Sequence, residues 1–581
     1  MPLRVLRTML VAPSRYDEKG VLVFRIGINQ NGSLGAISGL IEDYNRRHEG
    51  SSEIRYDVFD EHVREAVTPA LLRAWKTEAE NAGERFVLLV CGIQTATYPR
   101  GRDIALMARS LGIDVVAGGV HLASHGPSVD FLTSCGVSVG IGEVEPIWDR
   151  IIADAIDCRL APLYRIGEDE GLRVKTAVSD ITAPDLEQQT FPHMPRQHLS
   201  RYLNPSHLYI DGSRGCPYLC SFCSVKNTFG RTVRGRDPVT LVAWMAERVD
   251  RDGIAWFTFT DDNFIRNPRH LEILEGLAKI RAQGRRFSVG LILDVESSCY
   301  ATEDSARGER TRSFLALCRE AGVSNVFMGL ESTNDAALQE MSKQVNRDRK
   351  AAAGDAPRAI LDRYRTAVRA WQQIGASVEC GYIIGFEADG LGEGARAARD
   401  MVAIGIDIVS FYLLTPLPGA EDYANALERG TLIERDFNEY FRNRTMVAHP
   451  RLANAELEAE LKTAVKTFYS WKNVVLRLAR GIFGIGRPRV TSPWIFVKRQ
   501  GGYKMMILAG MYTYFEGGLI RRVAKGARRE VVTDAEARAH FLGTAAPAHS
   551  LLPESMLDDS RMDSLPILRR HALDPVSARS A

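Results

Sequence analysis

At 581 residues, 45% of them apolar and 25% charged, the chain is long enough for roughly two to four domains, each with its own core. Its 74 Lys and Arg nearly balance 72 Asp and Glu, and a formal charge of +2 excludes a global field for nucleic acid or an acidic membrane. Nine cysteines, six of them scattered singly and three packed into Cys216–Cys223, argue against a disulfide framework and for a reducing, cytoplasmic setting.

The chain opens on a strand, Met1–Val11, whose apolar run is too short for a signal peptide, and no stretch reaches the ~18 apolar residues of a membrane span. Through residue 160, short β-branched runs alternate with helical patterns. Phe86–Gly92 is a buried strand ending in glycine, the stretch through Ala105–Gly112 is helical, and Ile113–Gly119 is a second strand ending in paired glycines. This alternation predicts a doubly wound parallel sheet, with ligands at the carboxyl ends of its strands. Residues 161–204, with Pro184, Pro192 and Pro195, read as a linker.

A second alternating series fills residues 205–425. Its strands are predicted at His207–Asp211, Trp256–Thr260, Phe287–Leu293, Asn325–Leu330, Val378–Gly385 and Ile408–Thr415, a partial (β/α)6 barrel related to the TIM barrel. Residues 426–542 change character, with a long helical pattern over 454–481, and read as a mostly helical, substrate-facing region. Residues 543–581, rich in Ala, Pro, Ser and Arg, read as a mobile tail.

Directly after the first barrel strand stands Gly215-Cys216-Pro-Tyr-Leu-Cys220-Ser-Phe222-Cys223. Three thiolates on one tight loop can ligate three irons of a [4Fe–4S] cubane and leave the fourth iron open. Zinc is the alternative, but a structural zinc site closes with four protein ligands. No Cys or His follows Cys223 before His270, and His207 lies within the preceding strand.

The C-x3-C-x2-C spacing, Phe222 before the last Cys and the strand-then-loop setting resemble the radical S-adenosylmethionine (SAM) superfamily. The resemblance implies that the open iron chelates the amino and carboxylate groups of SAM, whose cleavage releases a 5′-deoxyadenosyl radical. It places Phe222 near adenine. Asp261 in Thr260–Phe264, Glu331 and Ser332 in Gly329–Ser332, and Gly381 and Gly385 in Gly381–Glu387 then become SAM-site candidates. Leu414–Gly419 resembles the end of the sixth strand. Taken singly, Glu331 is also an ordinary strand-end acid, and Gly381 and Gly385 also fit close packing.

Upstream, Cys91-Gly92-Ile-Gln94-Thr95, Gly118-Gly119-Val-His121 and Gly140-Ile-Gly142-Glu143-Val-Glu145 lie at successive strand ends, where glycine lets backbone approach a large ligand. Placed before such a barrel, residues 1–160 resemble the cobalamin-binding domain of B12-dependent radical SAM enzymes. That resemblance implies a cobalamin contact set of Gly92, Gln94, Thr95, Gly118, Gly119, His121, Gly142 and Glu143. A domain that binds another nucleotide, or none, is the alternative. The sequence Asp60-Glu-His62 lacks the glycine of a cobalt-ligating Asp-x-His-x-x-Gly motif, so His62 reads as a surface histidine.

Leu461–Lys472 resembles the helical extension of B12 radical SAM enzymes acting on hopanoid lipids. Leu519–Arg529 is basic and partly amphipathic, and is weighed as a peripheral contact to anionic lipid heads or a substrate phosphate against a solvated basic helix face. The resemblance implies methylation of an unactivated carbon of a small-molecule or lipid substrate, with electrons from a flavodoxin or ferredoxin and no nucleic-acid partner. An oxidative cyclase without methyl transfer and a non-catalytic cluster- and cobalamin-holding module are the alternatives.

Overall fold

The computed structural model describes residues 3–543 apart from 29, 178–179, 348–354, 441–443, 494–495, 498–499, 502–517 and 525–527. Strand β1 (Arg4–Ala12) leads into a hairpin of β2 (Tyr16–Asp17) and β3 (Gly20–Gly27). Then follow β4 (Ser52–Asp60), β5 (Arg85–Val90), β6 (Asp114–Gly118), β7 (Ser138–Gly140) and β8 (Leu163–Tyr164). The first sheet has the order β4-β1-β5-β6-β7-β8, and all its pairs are parallel.

The two-residue period of β5 explains why this sheet is covered on both faces. Val87 and Leu89 join Leu6, Leu10, Ile41 and Trp148 in one core, whereas Leu88 and Val90 join Met9, Val11, Leu72 and Ile104 in another. Helices Gly32–Arg47 and Trp148–Ile156 supply the first layer, and Pro69–Asn81 and Tyr98–Ser110 the second. Strands β1 and β5 stay paired through Val11 and Val90, but the helices that follow them lie on opposite faces, the switch point at which doubly wound sheets bind their ligands.

The 161–204 stretch carries more structure than a linker. It contributes β8 to the first sheet and an antiparallel hairpin of β9 (Leu172–Lys175) and β10 (Asp180–Ala183). Its prolines disguise these short strands, which have too few residues to show a period.

The second sheet begins with β11 (His207–Ile210). Short strands β12 (Ser213–Arg214) and β13 (Arg234–Gly235) pair beside it, and β14 (Trp256–Phe259), β15 (Ser288–Leu293), β16 (Val323–Glu331), β17 (Ser377–Ile384) and β18 (Ile408–Leu413) continue it. The order β11-β14-β15-β16-β17-β18 follows the chain, all pairs are parallel, and β11 does not close onto β18. This is an open (β/α)6 barrel. The first crossover helix shows how locally it is specified: Asp237 accepts the Thr240 N–H at 2.9 Å, Pro238 opens the first turn, and left-handed Gly253 ends the last.

The 454–481 pattern divides into helices Asn454–Phe468 and Trp471–Phe483. Between them the Tyr469 hydroxyl donates to the Val409 carbonyl of β18 at 2.9 Å, which anchors the break. Leu519–Ala524, weighed above as a helix face, is instead part of β19 (Gly518–Ala524), antiparallel to β3. β-Branched Ile520 and Val523 suit a strand, and β3 offers an edge that β2 leaves unpaired. Helix Asp534–Leu542 then packs on Tyr98–Ser110, where Asp534 accepts from Arg102 at 2.9 Å and from the Tyr98 hydroxyl at 3.1 Å. The C-terminal region therefore reaches back to the first sheet. Among the described residues no helix is long and apolar enough to cross a membrane. The tail from 544 onward lies outside the described residues.

Candidate active site

The three-cysteine loop hangs from the carboxyl end of β11 and is fixed by its backbone. Gly215 has φ +99°, and a Cβ there would meet the Thr232 carbonyl oxygen at 2.5 Å, so only glycine fits. The Cys216 N–H donates to Gly230 O at 3.1 Å, the Cys223 N–H to Cys220 O at 3.2 Å, and the Ser221 N–H to Met341 O at 3.1 Å. Two acids at the end of β14 hold the approach. Asp261 accepts from the Gly212 N–H at 2.7 Å and the Ser213 hydroxyl at 2.5 Å, and Asp262 accepts from the Gly215 N–H at 2.7 Å. Burial pushes Asp261 up to about 7 and Asp262 up to about 6, although these hydrogen bonds work against it. Asp261, expected to touch SAM, is 0% exposed and has both oxygens on the loop, so it shapes the loop from behind.

The donor set suits an iron–sulfur cluster. Cys216, Cys220 and Cys223 sense one another's charge, and burial pushes the Cys216 thiol up to about 11 and Cys223 up to about 12. A desolvated thiol of this kind becomes a thiolate by binding metal, and the Lys343 ammonium beside Cys220 favours that charge. Among the described residues no three His, Cys, Asp or Glu side chains are grouped to hold a metal ion.

Around the loop, Glu331 ends β16 in the left-handed region at φ +64°, unusual for a non-glycine residue. Its Oε1 lies 3.4 Å from Lys343 Nζ. A Cβ on Gly329 would fall 2.8 Å from Glu331 Oε1, and one on Gly381 would fall 3.3 Å from Oε2; the two glycines therefore make the space this carboxylate occupies. Burial holds the Glu331 carboxyl above its ordinary range, and Lys343 pulls it back. The Phe222 ring centroid lies 6.0 Å from Lys343 Nζ. Gly385, at φ +114°, donates its N–H to Asp389 at 2.9 Å. Ser332 is 1% exposed and its hydroxyl accepts the Asn334 N–H at 3.0 Å, so it faces the β16–β17 packing.

Lys343 and Asp294 escaped the sequence reading. Lys343 lies in an irregular stretch with no period to mark it. Asp294 directly follows β15, the same strand-end signal that singled out Asp261, and it accepts from the Tyr218 hydroxyl at 2.9 Å, Asn263 at 2.9 Å and Arg266 at 2.7 Å.

On the first sheet, the glycine turns after β5, β6 and β7 form one row of strand ends. Gly92 sits at φ +65°. Gly119 is pressed so closely to the Ile93 backbone that a Cβ would meet the Ile93 N at 2.2 Å, whereas a Cβ on Gly142, at φ +75°, would meet nothing within 4 Å. Gly118 lies beside Gly140, and Gln94 is exposed while Thr95 is buried. His121 is buried, with Nε2 3.0 Å from Ser128 Oγ and Nδ1 3.4 Å from Thr95 Oγ1, and its ring packs against Tyr98 and Phe437. Burial, helped by neighbouring His125, holds it well below the ordinary histidine range and therefore neutral. His62 lies two residues past edge strand β4, away from the glycine row, stacked on Phe24 and 3.7 Å from Asp60.

The two sheets meet through these strand ends. Glu143 accepts from Arg214 at 2.5 Å and from Arg234 at 2.6 Å, and Glu145 accepts from Arg214 at 2.7 Å. Ser124, after β6, lies 3.2 Å from Thr228, just beyond Cys223. Glu143, expected to touch cobalamin, thus has both oxygens on arginines that flank the cysteine loop. This junction brings the strand end that carries Gly142 against the arginines beside the cysteine loop.

Residues 210–368 match the Radical SAM superfamily. A bacteriochlorophyllide d C-8(2)-methyltransferase of Chlorobaculum tepidum is 22% identical over 66% of this chain and 78% of its own length. A hopanoid C-2 methylase of Rhodopseudomonas palustris is 26% identical over 58% of this chain and 56% of its own. The fold matches that of the radical SAM methyltransferase TsrM from Kitasatospora setae, solved with cobalamin and a [4Fe–4S] cluster, at TM-score 0.54 and 15% identity, over 87% of this chain and 99% of that one.

Proposed function

This chain is a member of the radical SAM superfamily, and from that premise we propose that it is a cobalamin-dependent enzyme that methylates an unactivated carbon of a small-molecule or lipid substrate. One observation carries the reading: Glu143, next to Gly142 at the end of β7, is ion-paired to Arg214 and Arg234 beside the Cys216–Cys223 loop, so the doubly wound sheet and the barrel are joined at their strand ends.

Cys216, Cys220 and Cys223 would hold the [4Fe–4S] cluster. Phe222, Glu331, Lys343, Gly381 and Gly385 would shape the SAM site, with Asp261 and Ser332 behind it. Gly92, Gln94, Thr95, Gly118, Gly119, His121 and Gly142 would form the cobalamin floor, with Glu143 fixing its distance from the cysteines. When bound, these groups supply radical hydrogen abstraction and methyl donation. The chain contributes proximity and exclusion of water, since the two strand-end surfaces meet at a junction of buried side chains. Electrons would come from a flavodoxin- or ferredoxin-type donor, and the enzyme would work in the cytoplasm.

The test is anaerobic reconstitution with iron, sulfide and hydroxocobalamin, followed by reduction in the presence of deuterated-methyl SAM. Retained corrinoid, 5′-deoxyadenosine and label reaching the corrinoid are expected. Deoxyadenosine without label on the corrinoid would favour a cyclase or rearrangement enzyme. Failure to form any deoxyadenosine would leave a non-catalytic holder of the two groups.

A further inference from the structure

The helix Trp471–Phe483 is apolar on two faces, and Leu478 packs beside Val474 on the barrel core. Its buried face consists of Val474, Gly481 and the long cation Arg477, whose guanidinium sits 4.1 Å from the Phe468 ring and 5.2 Å from Tyr469 and donates to Phe468 O at 3.0 Å. Its outward face carries Val475 at 59% exposure and Phe483 at 67%, with Trp471 and Leu476 beside them and exposed Ile485 just past the last turn. At 100° per residue, positions 471, 475, 476 and 483 fall within an arc of about 140°, with exposed Lys472 inside that arc and exposed Arg480 at its border. Large apolar side chains are seldom gathered in this way without something to cover them.

Charge identifies the cover. Between Glu460 and Glu516 the sequence has no Asp or Glu at all, yet it carries ten Lys and Arg. In a chain of net charge +2 this sets a basic stretch of sequence against an acidic remainder. Lys462, Lys466, Lys472, Arg480 and Arg489 are all exposed along it. An aromatic and aliphatic face that carries Lys472 within it and Arg480 at its border, in a stretch of sequence without Asp or Glu, matches the headgroup boundary of an anionic bilayer: rings and aliphatic chains enter the acyl edge while the cations meet phosphates. We propose that the face of helix Trp471–Phe483 built by Val475, Leu476, Phe483, Lys472 and Arg480 docks the protein on the surface of an anionic phospholipid membrane. The helix has only 13 residues, so it lies on the bilayer and does not span it. This places the contact on 471–485, not on Leu519–Arg529, where β19 is already paired with β3. The proposal is independent of the reading of the cysteine site.

Flotation of the anaerobically reconstituted full chain with vesicles tests it. Wild type is expected to rise with vesicles of equal parts phosphatidylglycerol and phosphatidylcholine, to stay down with phosphatidylcholine alone, and to be released as salt rises from about 0.1 to about 0.5 M. Val475→Asp/Phe483→Asp should lower the bound fraction about tenfold, with the far-ultraviolet circular dichroism and urea midpoint of wild type retained as the sign of an intact fold. If that variant is unfolded, Lys472→Glu/Arg480→Glu serves in its place and should show the same fall. Wild type that ignores anionic vesicles, as it would if this face served a protein partner, overturns the proposal, as does a folded variant that floats like wild type.

Discussion

Glu143 and Arg234 form an ion pair at 2.6 Å, with only 5% and 3% of their side chains exposed, although they belong to different sheets. Glu143 follows β7 and Arg234 opens β13 beside the cysteine loop, so this pair sets how far the glycine row stands from the cysteines. Arg214 shares the same carboxylate at 2.5 Å. Removing Glu143 leaves a buried guanidinium without its counter-charge, which costs about 3–5 kcal/mol where one partner of such a pair is deleted. Glu143→Ala is therefore expected to lower the unfolding midpoint and to weaken corrinoid retention. Glu143→Ala that denatures like wild type in urea would show that the junction is held elsewhere.

The cysteine loop gives the second prediction. Cys220→Ala is expected to abolish iron–sulfur absorbance and 5′-deoxyadenosine formation, because two thiolates on this loop do not hold a cubane. Cys318→Ala, a buried core thiol of helix Ala306–Glu320, should keep the full iron content and lose stability by about 1 kcal/mol or more through the small cavity it leaves. Iron measured by colorimetry on anaerobically purified protein separates the two. Equal iron in both variants would remove the cluster from this loop.

Much of this was legible in the chain because the informative residues are local. Each barrel strand is a short apolar run ending at a residue that works, so β11 and β14–β18 lie within two residues of their expected bounds. The C-x3-C-x2-C loop needs no tertiary context to be read. What escaped depends on distant partners. β19 is a strand because β3 has an open edge some 490 positions away in the chain, and no window of sequence contains that fact. Glu143 and Asp261 lie at the right strand ends, yet each spends its oxygens on protein donors that only the fold brings near. Lys343 meets Glu331 across an irregular stretch, where periodicity is silent.

Two glycines of the row make opposite demands, which gives the third prediction. At Gly119 an added methyl would collide with backbone, the Ile93 N at 2.2 Å and O at 2.5 Å, and neither atom can move without displacing the β5 turn. At Gly142 the space is open and only the left-handed φ of +75° resists a side chain, at about 1 kcal/mol. Gly119→Ala is thus expected to destroy corrinoid retention and to destabilise the fold by roughly 3 kcal/mol or more. Gly142→Ala should be nearly as stable as wild type, so any loss of corrinoid binding in it reports on the added methyl itself. Equal denaturation midpoints for the two variants would contradict the close approach at Gly119.

Acid stability tests the support beneath the loop. Asp211 follows β11 and pairs with Arg214 at 2.7 Å and Arg236 at 3.0 Å. Burial alone would raise its carboxyl, but the two guanidinium groups overcome that and hold it at about 2, against an ordinary value of 3.8. A carboxylate depressed in the folded state contributes stability that is fully present above the unfolded value. That stability is lost as pH falls through the folded value. The contribution is roughly 2 kcal/mol and should drain away between about pH 5 and about pH 2. Asp211→Asn has no charge to lose, so the gap in urea midpoint between wild type and this variant is expected to be widest near neutrality and to close at the acid end. A gap that stays constant from neutral pH down to about 2 would mean that Asp211 is not held ionised by its two arginines.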